Sequence, residues 1–196
     1  MFQKINLKNY KIPENTVVLD GGIFVDSYKR NNKNSSYSVN VVDAVCRGKI
    51  PNMITDLELG KFRRIAGQDA VDEILHKVKR NPSCSFYEVI IADYLKEYEK
   101  VPAYCKLFSL CKSTNLHVPD LTSILASIET DKFLVTNDNH HWQQQNNIIR
   151  AYRERHAEKR ANEIIEKRKA NNQLKISDMR MYDSKDFWKL VLHMKD

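Results

Sequence analysis

The sequence predicts an α/β domain: a central parallel sheet of four or five strands, helices on both faces in three layers, and a long helical insertion near the C-terminus. Three observations carry this expectation. Residues 16–25 open with the apolar, β-branched run expected of a strand buried on both faces of a parallel sheet. Further short apolar runs alternate with segments of helical periodicity, and that alternation argues for a parallel sheet covered by helices on both sides. Residues 143–173 are strongly helix-forming but carry only a thin apolar stripe.

Along the chain, TVVLDGGIFV (16–25) reads as the first strand, and DSYKRNNKNSSYS (26–38) as a helix start or a loop. SVNVVDAVCRGK (38–49) reads as a short helix closed by Gly48, with its valines leaving a strand open. A brief strand near Met53 and Ile54 precedes a helix opened by Thr55, which turns Leu57, Leu59, Phe62 and Ile65 towards the core. DAVDEILHKVKR (69–80) and SFYEVIIADYLKEYEKV (85–101) follow as amphipathic helices separated at Asn81 and Pro82, and AYCKLFSLCKST (103–114) as another after Pro102. NLHVP (115–119) is expected as a strand, DLTSILASIET (120–130) as a helix and KFLVTND (132–138) as a strand. The 143–173 helix would be roughly 45 Å long, too thinly apolar to bury much, with Ile149, Tyr152, Ala161, Ile164 and Ile165 as its stripe. A last strand and a helix begun by Asp183 or Ser184 end the chain, so the helix divides a domain formed by 1–142 and 174–196.

The 196 residues, 42% hydrophobic, suffice for one core. The sequence shows no membrane-spanning run and no leader, so a soluble, cytoplasmic protein without membrane contact is expected. Cys46, Cys84, Cys105 and Cys111 form no zinc-type spacing and read as reduced thiols, and His76, His117, His156 and His193 stand alone. The net charge of +7 is uneven: residues 1–142 carry 19 Lys and Arg against 17 Asp and Glu, while residues 143–196 carry 13 against 8. That tail excess suits a polyanion or simple solubility equally.

Chemistry in such sheets sits beyond the carboxyl ends of the strands. Asp20, Asp120 and Asp138 each follow an expected strand there, and converging carboxylates ask for a cation. Each acid also has a plain alternative. Thr55 and Glu58 match a helix capping box, Asp120 suits a helix start after Pro119, Asp138 suits a turn, and Asp20 lies beside Gly21 and Gly22. Taken singly, Glu58 and Asp120 read as structural, Asp138 reads either way, and Asp20 reads as functional.

Taken in order, VVLDGGIFV, ITDLELGKF, VPDLTSILASIE, FLVTND with Trp142, and MRMYDSKDFWKLV resemble the acidic motifs and closing strand and helix of the PIN-domain nucleases, most closely the VapC-type toxins of toxin–antitoxin pairs. The chain departs from that pattern at Gly22, where the family commonly has Ser, Thr or Asn, and in the length of the 143–173 insertion. The resemblance implies a metal-dependent endoribonuclease with Asp20, Glu58, Asp120 and Asp138 as catalytic and metal-binding residues. Oxygen donors without thiolates suit Mg²⁺ or Mn²⁺. Thr136 and Asn137 would support them through hydrogen bonds. Lys29, Arg30, Lys61, Arg63 and Arg64, with Arg150 and Arg153 on the insertion, are candidates for gripping RNA phosphates, a solvated face being the alternative for each. His140 and His141 could touch RNA or lie in a surface turn. Expected partners are RNA, an antitoxin or other protein, and a second copy of the chain in a homodimer or higher homo-oligomer. A tRNA- or rRNA-processing nuclease and a catalytically silent RNA- or protein-binding module are the alternatives. The insertion itself reads as a solvated arm, a partner helix or an RNA clamp.

Overall fold

The computed structural model describes residues 2–7, 10–30, 33–114, 116–166 and 181–189. The chain runs through β1 (Phe2–Ile5), β2 (Val17–Leu19), α1 (Gly21–Lys29), α2 (Ser35–Cys46), β3 (Asn52–Thr55), α3 (Asp56–Ala66), α4 (Gln68–Arg80) and β4 (Phe86–Val89). A 3-10 turn, Ala92–Tyr94, leads to α5 (Leu95–Tyr98); a second, Pro102–Tyr104, leads to α6 (Cys105–Ser113) and α7 (Val118–Thr130). Then come β5 (Leu134–Val135), α8 (Asn139–Gln143), α9 (Gln145–Glu166), β6 (Met181–Tyr182) and α10 (Ser184–Phe187).

Among the described residues the strands form one six-stranded sheet in the order β1-β4-β3-β2-β5-β6, and every neighbouring pair is parallel. Successive residues of β2 and β3 enter opposite apolar layers, as the two-residue period of a strand requires. Val18 and Met53 join Tyr104, Leu121, Leu125 and Tyr152 in one layer; Val17, Leu19 and Ile54 join Phe24, Val45, Phe62 and Val71 in the other. The three-layer α/β/α arrangement is therefore the one the alternating pattern predicts, with six strands in place of four or five. None of the described helices is long and apolar enough to cross a membrane.

Several elements differ from expectation, each for a physical reason. Ile23, Phe24 and Val25 do not extend the first strand. Asp20 accepts the Gly22 amide at 2.9 Å and caps α1, so the chain leaves the sheet there. Phe86–Val89 is a strand inside a segment expected to be helical, because a strand buried on both faces lacks the alternation that marks it. Its Glu88 is tolerated through an ion pair with Lys4 at 3.4 Å. Residues 116–119 form no strand: His117 is the extended cap of α7, and Pro119 sits in the first turn, where its missing N–H costs nothing. β1, unpredicted, is an edge strand and so carries Gln3 and Lys4. Ile65 is exposed on α3 and Leu57 half-buried, while Leu59 and Phe62 are buried as expected.

The long helix also buries more than its thin stripe suggests. Ile148, Ala151 and Tyr152 of α9 are buried in the core layer of α6 and α7. Glu129 of α7 accepts Arg155 Nε at 2.7 Å and the Tyr104 hydroxyl at 2.5 Å, and pairs with Lys159 at 2.9 Å. The first half of the expected insertion is thus packed on the domain. The side chains of Ala161, Ile164 and Ile165, and residues 167–173, lie outside the described residues.

Candidate metal centre

β2 and β3 lie side by side in the sheet with β5 on the other flank of β2. Asp20 follows β2 directly, Glu58 sits in the first turn of the helix after β3, and Asp138 lies three residues beyond β5. Asp120 reaches the same edge from the first turn of α7, which contacts both β2 and β3. Carboxyl oxygens of Asp20, Glu58 and Asp120 lie within 4.8 Å of one another, and all three residues are fully buried. Asp20, Asp138 and His141 form a second group within the same limit. Asp20 belongs to both, so the four acids named from the sequence do converge, in two adjoining donor sets.

Each acid is held by specific contacts. Asp20 Oδ2 accepts the Thr136 hydroxyl at 2.6 Å, and the same Thr136 oxygen accepts the Asp138 amide at 3.1 Å, which locks the two acids in register. Thr136 therefore hydrogen-bonds both acids. Asn137 does not: its amide donates to Asp26 at 2.8 Å and to Ser38 at 3.0 Å, while its carbonyl accepts the Ser184 amide at 3.0 Å, tying α1, α2 and α10 together.

The capping-box alternative for Glu58 holds only in part. Its amide donates to the Thr55 hydroxyl at 3.3 Å, but its carboxyl turns away from Thr55 and accepts the Gly21 amide through Oε2 at 2.8 Å. Oε1 is buried with no hydrogen-bond partner. Gly21 is required here, since any Cβ would collide with the Glu58 carboxyl and backbone. For Asp120 and Asp138 the plain alternatives are real but incomplete. Asp120 Oδ2 accepts the His117 amide at 3.0 Å and Asp138 Oδ1 the His140 amide at 2.8 Å, and each residue also faces the cluster.

Lys61, expected to grip RNA, instead points into the acids. Its ammonium lies 2.5 Å from Asp120 Oδ1, 3.6 Å from Asp20 Oδ1 and 3.7 Å from Glu58 Oε2, and its side chain is 14% exposed. Burial opposes its charge, yet the three carboxyl groups hold it protonated well above the ordinary lysine range. Burial likewise opposes ionisation of Asp20, but Lys61 and His141 outweigh it and hold that carboxyl well below the usual carboxylate range. For Glu58, burial and then the Asp20 charge push the carboxyl well up. The two carboxyls titrate as a coupled pair, in which burial and mutual repulsion favour the charge on Asp20 over the charge on Glu58.

His141 is the residue that sequence reasoning undervalued. It is fully buried, with Nδ1 3.4 Å from Thr136 Oγ1 and 3.9 Å from Asp20 Oδ2, and Nε2 3.3 Å from Ser123 Oγ. Its signal was its position three residues after a capping aspartate, where a first-turn side chain packs back on its own cap. His140 Nδ1 lies 3.1 Å from Asp138 Oδ1. The remaining cations stand apart from the acids. Arg63 and Arg64 are exposed on α3, Lys29 and Arg30 are exposed at the far end of α1, roughly 13 Å along the helix from Asp20, and Arg150 pairs with Glu154 at 2.7 Å. Arg153 is exposed on α9.

The donor chemistry fits a hard divalent cation. Among the described residues, the donors grouped with Asp20 on the Glu58 side are all carboxyl oxygens, with no thiol among them. Lys61 offsets part of their charge from among them. No family model matches the chain, and no curated protein matches it.

Proposed function

We propose that this chain is a metal-dependent endoribonuclease of PIN-domain type that hydrolyses RNA phosphodiester bonds with Mg²⁺ or Mn²⁺. The observation that supports this most is the burial of three carboxyl groups from distant segments within 4.8 Å of one another. Such a cluster needs a counter-charge, and Lys61 supplies a single positive charge to three carboxyl groups. The ordered motifs that resemble the PIN nucleases add the substrate class.

Asp20, Glu58 and Asp120 would hold the ion, with Asp138 and His141 on the adjoining side of Asp20. The ion would supply Lewis-acid activation of water and neutralisation of the scissile phosphate. The chain's own part is positional. Thr136 and the Gly22 amide fix the two Asp20 oxygens, the Gly21 amide fixes Glu58, and the His117 amide fixes Asp120. A toxin restrained by an antitoxin and a processing nuclease for tRNA or rRNA would share this chemistry.

One observation favours a second reading, the catalytically silent module. The Lys61 ammonium already offsets part of the cluster's charge at 2.5 to 3.7 Å. The test is incubation of the purified chain with structured RNAs in Mg²⁺ or Mn²⁺, with and without chelator, beside Asp20→Asn. Cleavage that needs the metal and is lost in the variant is expected. Cleavage indifferent to both controls removes the proposal, and RNA retention without cleavage favours the silent module.

A further inference from the structure

Beside the acidic centre, a cleft of about 510 Å³ is lined by Trp142, three asparagines, Lys33 and the carboxylates of Asp183 and Asp186. Two of the asparagines, Asn137 and Asn139, flank Asp138 in the chain, so the cleft opens next to that acid. We propose that it binds a guanine base of single-stranded RNA next to the phosphodiester that the acidic centre acts on. The inference takes its substrate class from the nuclease reading above.

Size and charge narrow the occupant first. The volume falls within the roughly 300–1,000 Å³ of small-ligand sites. One lysine faces two aspartates, so the lining is net negative and repels a phosphate while accepting a neutral group rich in N–H donors. A nucleobase is the neutral part of a nucleotide. Trp142, half-exposed at the cleft, offers the aromatic face on which unstacked RNA bases rest.

Hydrogen bonding then separates the bases. Asp183 is engaged: its Oδ1 accepts the Asp186 amide at 2.7 Å and its Oδ2 faces the Asn34 amide at 3.5 Å. The Asp186 carboxylate is exposed and has no hydrogen-bond partner among the described residues. Guanine alone presents two N–H donors side by side on its Watson–Crick edge, N1–H and N2–H, which match the two oxygens of one carboxylate. Adenine, cytosine and uracil each present a single donor group there. The exposed Asn139 amide can donate to the guanine acceptors O6 and N7.

The test uses the intact chain with Trp188→Phe, which leaves Trp142 as the single indole of the two in the sequence. Guanosine 5′-monophosphate is expected to quench its fluorescence at concentrations about tenfold lower than the adenosine, cytidine and uridine monophosphates. Asp186→Asn, on the solvent side of a helix start, should abolish that preference, while Asp72→Asn, exposed on α4 and outside the lining of the cleft, should retain it. Calorimetric titration of the unaltered chain makes the same comparison without the reporter substitution. Equal affinity for the four nucleotides, or an undiminished guanine preference in Asp186→Asn, overturns the inference. Guanine selectivity in a protein that cuts no RNA counts for the cleft and against the nuclease reading, so the two fail separately.

Discussion

The Lys61 ammonium lies 2.5 Å from Asp120 Oδ1, at the centre of three buried carboxyl groups. A lysine three residues after Glu58 on α3 reaches this point because residues three apart share a helix face. The side chain thus acts as the cluster's internal counter-ion, and the divalent cation proposed above would compete with it for the same oxygens.

Removal of that counter-ion is the first expectation. Lys61→Met should destabilise the metal-free protein by about 3 kcal/mol, because it leaves buried acids without a partner. The same variant should gain more thermal stability from added Mn²⁺ than the unaltered chain does, since the competing ammonium is gone. Melting curves with and without Mn²⁺ measure both, and an unchanged metal-free melting temperature would show that Lys61 does not stabilise the cluster.

Glu58 gives the centre a pH dependence of definite sign. Its carboxyl is raised above the ordinary value of 4.5, so between that value and its folded value the native state holds a proton that the unfolded chain has lost. Without metal, its contribution is complete below about pH 4.5 and fades as pH rises through the raised value. Asp20 has the opposite sign: its depressed carboxyl stabilises the fold above the ordinary aspartate value of 3.8, and this is lost in acid. Glu58→Gln should therefore flatten the decline on the alkaline side while leaving the acid limb in place. Urea midpoints across pH, in chelator, read both limbs.

Much of this centre was legible in the sequence, for reasons that particular residues make plain. Asp20 announces itself because an apolar run turns polar at a glycine pair, and Thr55 with Glu58 marks a helix start whatever the glutamate does afterwards. What local patterns cannot carry is direction. Lys61 and Arg64 look alike in sequence, yet one points into the acids and the other to solvent. The Glu58 carboxyl chose the Gly21 amide, 37 residues away, over the Thr55 amide beside it. The same limit hid β4, whose four residues are buried on both faces and so show neither period.

The glycine pair after Asp20 should separate cleanly under substitution. A Cβ on Gly22 would meet the Asp20 carboxyl at 3.5 to 3.7 Å, an ordinary contact, so Gly22→Ser should fold and gain up to about 0.5 kcal/mol from the reduced freedom of the unfolded chain. A Cβ on Gly21 meets the Glu58 backbone at 2.6 Å, which nothing flexible can relieve. Gly21→Ala should cost more than about 2 kcal/mol and displace Glu58 from the cluster. Chemical denaturation of the two variants side by side tests the contrast; equal effects would contradict the close approach of α1 to α3.

α9 should behave as part of the domain. Tyr152 is buried, and its hydroxyl donates to Asp131 at 2.5 Å, while Arg155 and Lys159 converge on the partly buried Glu129. Burial opposes ionisation of Glu129, but Arg155, Lys159 and the Tyr104 hydroxyl together hold its carboxyl below the ordinary range. Tyr152→Ala should cost about 3 to 5 kcal/mol through the cavity it opens, and Glu129→Leu about 2 kcal/mol by leaving two cations facing an apolar side chain. Arg153→Ala, on the exposed side of the same helix, should change stability by less than about 0.5 kcal/mol. A passive arm would show none of this asymmetry: all three variants would melt with the unaltered chain. Stability measured for the three together therefore decides whether the charged helix is an appendage or a structural member that holds α7, and with it Asp120, against the sheet.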